Sequence, residues 1–291
     1  MSDTRRSVVA GVSRTRPAVN EHVVRWAADE ATARGLPLHV VHAQEWPRGA
    51  WPDTEPAHPA YTWSTHFRAS GEALLDEARR VASARHPALT VTSELAVGRA
   101  VHLLRESGET AAMLVLGAHR FTVVESAFAG ADKGHALIGH LPCPMALVPE
   151  PPGDAQVDGP VVVGVDGSPS SQAAVDLAFE EADAAKAPLV AVEVCRPRDA
   201  AWASFVADTP LYLSELLSGH RARYPDTEVR QEILTGQPAL TLVAASCHAR
   251  CLVVGTRGRG GFRGMLLGST SRALVNHTHC TLIVTPAPQS R

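Results

Sequence analysis

Short, unbroken apolar runs alternate along this chain with longer segments whose apolar residues recur at the helical period. In the C-terminal half, Val161-Val162-Val163 and Leu252-Val253-Val254 are apolar at consecutive positions. Such runs suit strands covered on both faces, as in a parallel sheet. On that reading strands are predicted at Val161–Asp166, Leu189–Cys195, Thr227–Leu234, Cys251–Thr256 and Thr281–Thr285. Helices are predicted at Ser170–Lys186, Thr209–Arg223, Pro238–Cys247 and Thr270–Asn276. Strand and helix alternating with right-handed crossovers predict an α/β fold, a doubly wound open sheet with helices on both faces. Ligands of such sheets sit beyond the carboxyl ends of the strands.

The pattern occurs twice. Val8-Val9-Ala10-Gly11-Val12 matches Val161-Val162-Val163-Gly164-Val165, and Leu38-His39-Val40-Val41-His42 matches Leu189-Val190-Ala191-Val192-Glu193. Gly98-Arg99-Ala100 answers Gly236-Gln237-Pro238, Leu114-Val115-Leu116-Gly117 answers Leu252-Val253-Val254-Gly255, and the run from Cys143 to Pro149 answers that from Cys280 to Pro286. The offset falls from 153 at the first glycines to 138 at Gly98, most of the change lying between Leu38 and Gly98. There the first copy has a Trp- and Pro-rich segment, Trp46 to Trp63, long enough to read as a flap or partner surface. Residues 150–158 are Pro- and Gly-rich and read as a linker. The expected organisation is therefore two tandem domains, 1–149 and 159–291.

Composition narrows the function. Acidic residues number 30 and basic residues 27, so no broad positive field points to nucleic acid. No stretch approaches the ~20 apolar residues of a membrane span, and Met1 to Val9 lacks the apolar segment of a signal peptide. The expectation is a cytoplasmic protein that binds neither nucleic acid nor membrane. Five cysteines do not form a disulfide framework in a chain this long. Cys247, His248 and Cys251 with His277, His279 and Cys280 could be drawn as a metal set, but neither pair has CxxC spacing, and no metal site is expected. His39, His42, His119, His135 and His140 lie near strand ends of the first copy, where a pH sensor or metal site could be drawn, but nothing fixes them in one place and they read as structural histidines.

Unusual residues occupy three strand ends of the second copy. Gly255 to Ser269 follows a buried strand and leads into a helix at Thr270. Its glycines let backbone N–H groups approach an anion, the helix start adds a positive dipole end, and Ser269 adds a hydroxyl. That is a cradle for a polyphosphate, with Arg257, Arg259 and Arg263 near enough in sequence to neutralise charge. Asp166 ends the first strand, where a carboxylate suits a ribose hydroxyl or a magnesium-bound water. Ser168 or Ser170 beside it reads as a helix cap, worth ~1 kcal/mol. Val192-Glu193-Val194 could offer backbone groups to an adenine ring, though strand packing predicts the same residues.

The run Gly255-x2-Gly258-x9-Gly268-Ser269, together with Asp166, resembles the ATP-binding signature of the universal stress protein family, and the chain resembles its tandem-domain members. The resemblance implies ATP as cofactor, with magnesium accompanying it, and contacts from Asp166, Val194, Val254, Gly255, Arg257, Gly258, Gly268, Ser269 and Thr270. It also implies five mostly parallel strands per copy in the order 3-2-1-4-5, with the fifth strands pairing between domains or subunits as a pseudo-dimer or a homodimer.

The first copy keeps the loop length and loses its chemistry. Asp166, Gly258 and Ser269 are answered by Ser13, Arg120 and Ala131. An arginine replaces the small residue that lets phosphate approach, and a hydroxyl donor is gone. The first domain is expected to serve packing and an unidentified protein partner, and the second to bind ATP in a regulatory, stress-response role. An ATP-hydrolysing or adenylating enzyme is the alternative, but the Gly255–Ser269 run contains no Asp, Glu, His or Gln to position water, so at most weak ATPase activity is expected. A nucleotide-free scaffold is the third reading.

Overall fold

The computed structural model describes residues 7–14, 17–45, 59–118, 137–150, 159–196, 202–258 and 267–287, without the side chains of 17, 59–65 and 202–210. Two compact units divide at Gly117 and Ala118. In the first, β1 (Val8–Gly11), α1 (Pro17–Ala33), β2 (Leu38–Gln44), α2 (Pro59–Arg85), β3 (Val91–Val97), α3 (Ala100–Thr110) and β4 (Met113–Gly117) follow in order. The strands lie as β3-β2-β1-β4, all parallel, with Ala10 level with Val40 on one side and Val115 on the other. β1 and β4 are almost wholly buried, which is why they consist of consecutive apolar residues.

Of the segment from Trp46 to Trp63, only the end lies among the described residues. Its last residues, from Pro59, are the first turn of α2, because proline presets φ for a helix start and has no N–H to leave unpaired there. Residues 46–58 lie outside the described part. At the other end of α2, Arg85 donates two hydrogen bonds to Asp29 of α1, at 2.7 and 2.9 Å, and the His86 ring meets the same carboxylate at 2.6 Å. Partial burial pushes the Asp29 carboxyl up, but these partners outweigh it and hold it below the usual carboxylate range.

The second unit contains β5 (Met145–Val148), β6 (Val161–Val165), α4 (Pro169–Ala185), β7 (Leu189–Cys195), α5 (Trp202–Arg223), β8 (Val229–Thr235), α6 (Pro238–Ser246), β9 (Cys251–Gly255), α7 (Ser269–His277) and β10 (Thr281–Thr285). Its parallel strands lie as β8-β7-β6-β9-β10, the expected 3-2-1-4-5 order. β5, the last strand of the first repeat, adds to this unit antiparallel to β10, with Leu147 opposite Leu282 and Ala146 opposite Ile283. Every residue of β5, β9 and β10 is buried. The pairing gives β10 neighbours on both sides, so neither last strand presents its polar backbone edge to the other's face of the unit unpaired.

Most element ends fall within two residues of expectation, the usual ambiguity of fraying ends. α5 is the exception. It starts at Trp202, not Thr209. Trp202, Phe205 and Val206 continue the helical apolar period upstream of Thr209.

Two outcomes follow. Asp29→Asn should lower stability at pH 7 by about 1 kcal/mol, the pair being partly screened by solvent. Because the folded carboxyl titrates below its unfolded value near pH ~4, the contribution is complete above that value and disappears as pH falls through the folded one. Urea melts of both proteins should therefore converge in acid. Leu147→Ala, at 3% exposure opposite Leu282, should cost about 2–4 kcal/mol in the same assay.

Candidate functional site at the strand ends of the second repeat

β6 ends at Val165, and the chain turns through Asp166 and Gly167 into α4. Gly167 has φ of 76°, the left-handed region where a side chain would be strained. The Asp166 carboxylate closes this turn, its Oδ1 accepting the Ser168 N–H at 3.0 Å. Ser168 is the N-cap of α4, accepting the Ser171 N–H at 3.2 Å, with Pro169 next in line. Ser170 does not cap. It lies inside the first turn, and its hydroxyl donates to the Arg257 carbonyl. The Ser168 hydroxyl donates to the same carbonyl at 3.1 Å.

β9 delivers the other half of the site. Val254 and Gly255 end it, buried. A Cβ on Gly255 would stand 2.6 Å from the Ser170 carbonyl carbon, so packing of α4 alone requires glycine there. The following loop is closed at its neck by a hydrogen bond from Gly268 N–H to the Thr256 carbonyl, 2.8 Å. Thr256 N–H in turn donates to the Thr285 carbonyl at the end of β10, 3.0 Å, and the Thr285 hydroxyl faces the Ser170 carbonyl at 3.3 Å. Gly268 is the N-cap residue of α7, whose first residues are Ser269 and Thr270, and the Ser271 hydroxyl ties that turn to the Gly255 carbonyl at 2.8 Å.

Asp166, Arg257, Gly258, Gly268, Ser269 and Thr270 are thus gathered where β6, β9 and α7 meet. A Cβ on Gly258 would lie 2.3 Å from the Asp166 Oδ2. Gly268, with an ordinary φ of −68°, has no atom of the other described residues closer than 3.5 Å to such a Cβ. Val194, half-buried, comes from the neighbouring strand: Val165 is level with Glu193, so Val194 follows at the level of Asp166. Arg257 is exposed. Arg259 and Arg263 lie outside the described residues. Ser170, Thr256, Ser271 and Thr285 were not singled out as site residues from the sequence; the signal available was a polar side chain at a buried position next to a strand end.

The first repeat satisfies the same corner differently. Ser13 N–H donates to the Asn20 Oδ1 of α1 at 2.9 Å, and the Asn20 amide returns a bond to the Ser13 carbonyl at 2.6 Å. Arg14 lies over the Phe67 ring, 4.5 Å from its centroid. Arg120 and Ala131 lie outside the described residues. His42 turns its Nδ1 to the Val12 carbonyl at 3.0 Å, while His39 contacts Thr92 at 2.8 Å from the other face of β2. Among the described residues no three His, Cys, Asp or Glu side chains converge to hold a metal ion. Cys251 opens β9, and Cys280, just before β10, has its thiol pushed up to about 12 by burial.

The sequence pattern that defines the universal stress protein family matches residues 4–149 and again residues 159–286. The chain belongs to the universal stress protein family. As a tandem member it is similar to Universal stress protein Rv2005c of Mycobacterium tuberculosis, 33% identical over 272 residues that cover 89% of this chain and 90% of that one. It is also similar to Universal stress protein Rv1996 of the same organism, 32% identical over 309 residues covering 98% and 96%. A crystal structure of a universal stress protein from Archaeoglobus fulgidus DSM 4304 shares the fold, with a TM-score of 0.70 at 15% identity, covering 98% of this chain and 97% of that one. Among the described residues no helix of this universal stress protein is long and apolar enough to cross a membrane.

The contact between Asp166 and the bare face of Gly258 makes the two positions interdependent. Gly258→Ala should cost about 1 kcal/mol by displacing the carboxylate. Combined with Asp166→Ser, it should cost less than the two single changes together by at least about 0.5 kcal/mol in a double-mutant cycle of urea melts. Strict additivity would mean the two residues do not touch in solution.

Proposed function

We propose that this protein is an ATP-binding regulatory protein that holds one nucleotide at the strand ends of its second repeat. The observation that carries this reading is Gly268. Its backbone conformation is open to any residue, and among the described residues nothing crowds a side chain there, so the packing they show supplies no reason for glycine. A phosphate that must reach the N–H groups at the start of α7 does. The donor set fits the group: bare backbone at Gly258 and Gly268, hydroxyls at Ser269 and Thr270, and the Arg257 guanidinium for charge. Asp166 would serve a ribose hydroxyl or a magnesium-bound water, and Val254 and Val194 would flank the base.

Bound ATP would supply binding energy rather than chemistry. The loop sequence holds no carboxylate, imidazole or carboxamide to orient an attacking water, so the loop offers no group for dedicated hydrolysis or adenylation and at most weak ATPase activity is expected. A ligand that binds the folded unit stabilises it by about 2.7 kcal/mol at a hundredfold excess over Kd, enough to shift a conformational equilibrium. In the first repeat, where Ser13, Arg120 and Ala131 replace the carboxylate, glycine and serine, no second nucleotide is held. That repeat would act through packing and partner contacts, with residues 1–149 and 159–291 as the two domains and 150–158 as their linker.

Calorimetry with ATP should give one site per chain and negligible turnover. Gly258→Arg, which places the first repeat's residue in the second, should weaken binding roughly a hundredfold by displacing about two charge-assisted hydrogen bonds, while the protein stays folded. Two equivalent sites, normal binding by Gly258→Arg, or rapid hydrolysis lost in Asp166→Ala would each count against the reading.

A further inference from the structure

Two hydroxyls converge on one backbone carbonyl at the point where the loop leaves β9. Ser168 and Ser170, 6% and 3% exposed, both donate to the carbonyl oxygen of Arg257. A carbonyl oxygen has two lone pairs, so this acceptor is saturated. Helix capping accounts for only part of the arrangement: Ser168 caps α4 through its lone pair, accepting from Ser171 N–H, and its proton remains for Arg257. Ser170 caps nothing. The partners lie 87 and 89 residues apart in sequence, so neither contact is a local turn preference.

We infer that Ser168 and Ser170 are positioning residues that orient the Gly258 N–H for the phosphates of the nucleotide, an inference that rests on the ATP reading above. The Arg257 carbonyl and the Gly258 N–H belong to one planar trans peptide and point in opposite directions. Holding the oxygen against the first turn of α4 therefore turns the N–H away from α4. The Gly268-to-Thr256 bond closes the neck one residue earlier, so the peptide between Arg257 and Gly258 is the first whose orientation the neck leaves open, and the serines set it. A donor held in place before the ligand arrives binds it without an ordering cost. At the aligned positions of the first repeat stand Thr15 and Pro17, and proline has no hydroxyl. The repeat that lost the phosphate glycine also lost one of the two groups that would aim it.

The test is titration of the full chain with ATP and, separately, with adenosine, which has the base and ribose but no phosphate. Ser170→Ala should weaken ATP about tenfold, and Ser168→Ala with Ser170→Ala about fiftyfold or more, while adenosine affinity changes less than about twofold. Ser168→Thr, which keeps both the cap and the hydroxyl, should bind ATP as the parent does. Thermal melts accompany each variant; if the double variant does not fold, Ser170→Ala decides alone. Should the parent bind no ATP, the ATP reading falls and this inference with it. Should the parent bind ATP while Ser170→Ala binds it equally well, only the inference falls. Equal losses for ATP and adenosine would also overturn it, because they would mean general damage to the pocket.

Discussion

The site exists because position 255 has no side chain. A methyl group there would stand 2.6 Å from the Ser170 backbone, so glycine is what allows the first turn of α4 to lie against the end of β9. That approach brings two hydroxyls to the Arg257 carbonyl, sets Asp166 beside Gly258 and lets Thr285 reach the Ser170 carbonyl. The first repeat obeys the same constraint at Gly117, where the crowding atom would be the Val19 Cγ1 at 2.6 Å. One packing requirement is thus kept in both copies, with polar groups at the contact in one and an apolar side chain in the other. The packing is common to both repeats while the polar groups it gathers are not, and a site can be added to a scaffold that does not depend on it.

The first repeat remains tied to that site. Its last strand, β5, pairs with β10, and β10 ends in Thr285, which receives the Thr256 N–H at 3.0 Å and so helps hold the loop neck. The last strand of the first repeat thus backs the strand that holds the loop neck of the second.

How far the sequence could be read follows from which forces act locally. Strands such as Val161–Val165 and Cys251–Gly255 are legible because a strand covered on both faces must be apolar throughout, and the repeat doubled that signal. Helix starts were less legible: α5 begins at Trp202, upstream of the expected Thr209, while Pro59, in a segment that reads as a flap, begins α2. In the site, glycines and a carboxylate at strand ends stand out by residue type. Ser170 does not, since a serine near a helix start reads as a cap, and its true acceptor is 87 residues away. Gly255 stood out for a reason that the structure supplies from packing. Residue type marks where chemistry can occur, and only the folded chain shows that this glycine makes room for a helix.

The central claim is that one crevice of the pair is built for a nucleotide and the other is not. Native mass spectrometry of the full chain as purified, followed by denaturation to release and weigh what it carries, tests this most directly. The account predicts an added mass of one adenine nucleotide per chain, absent from the Gly258→Arg protein. Two nucleotides per chain, or one retained undiminished by Gly258→Arg, would contradict it.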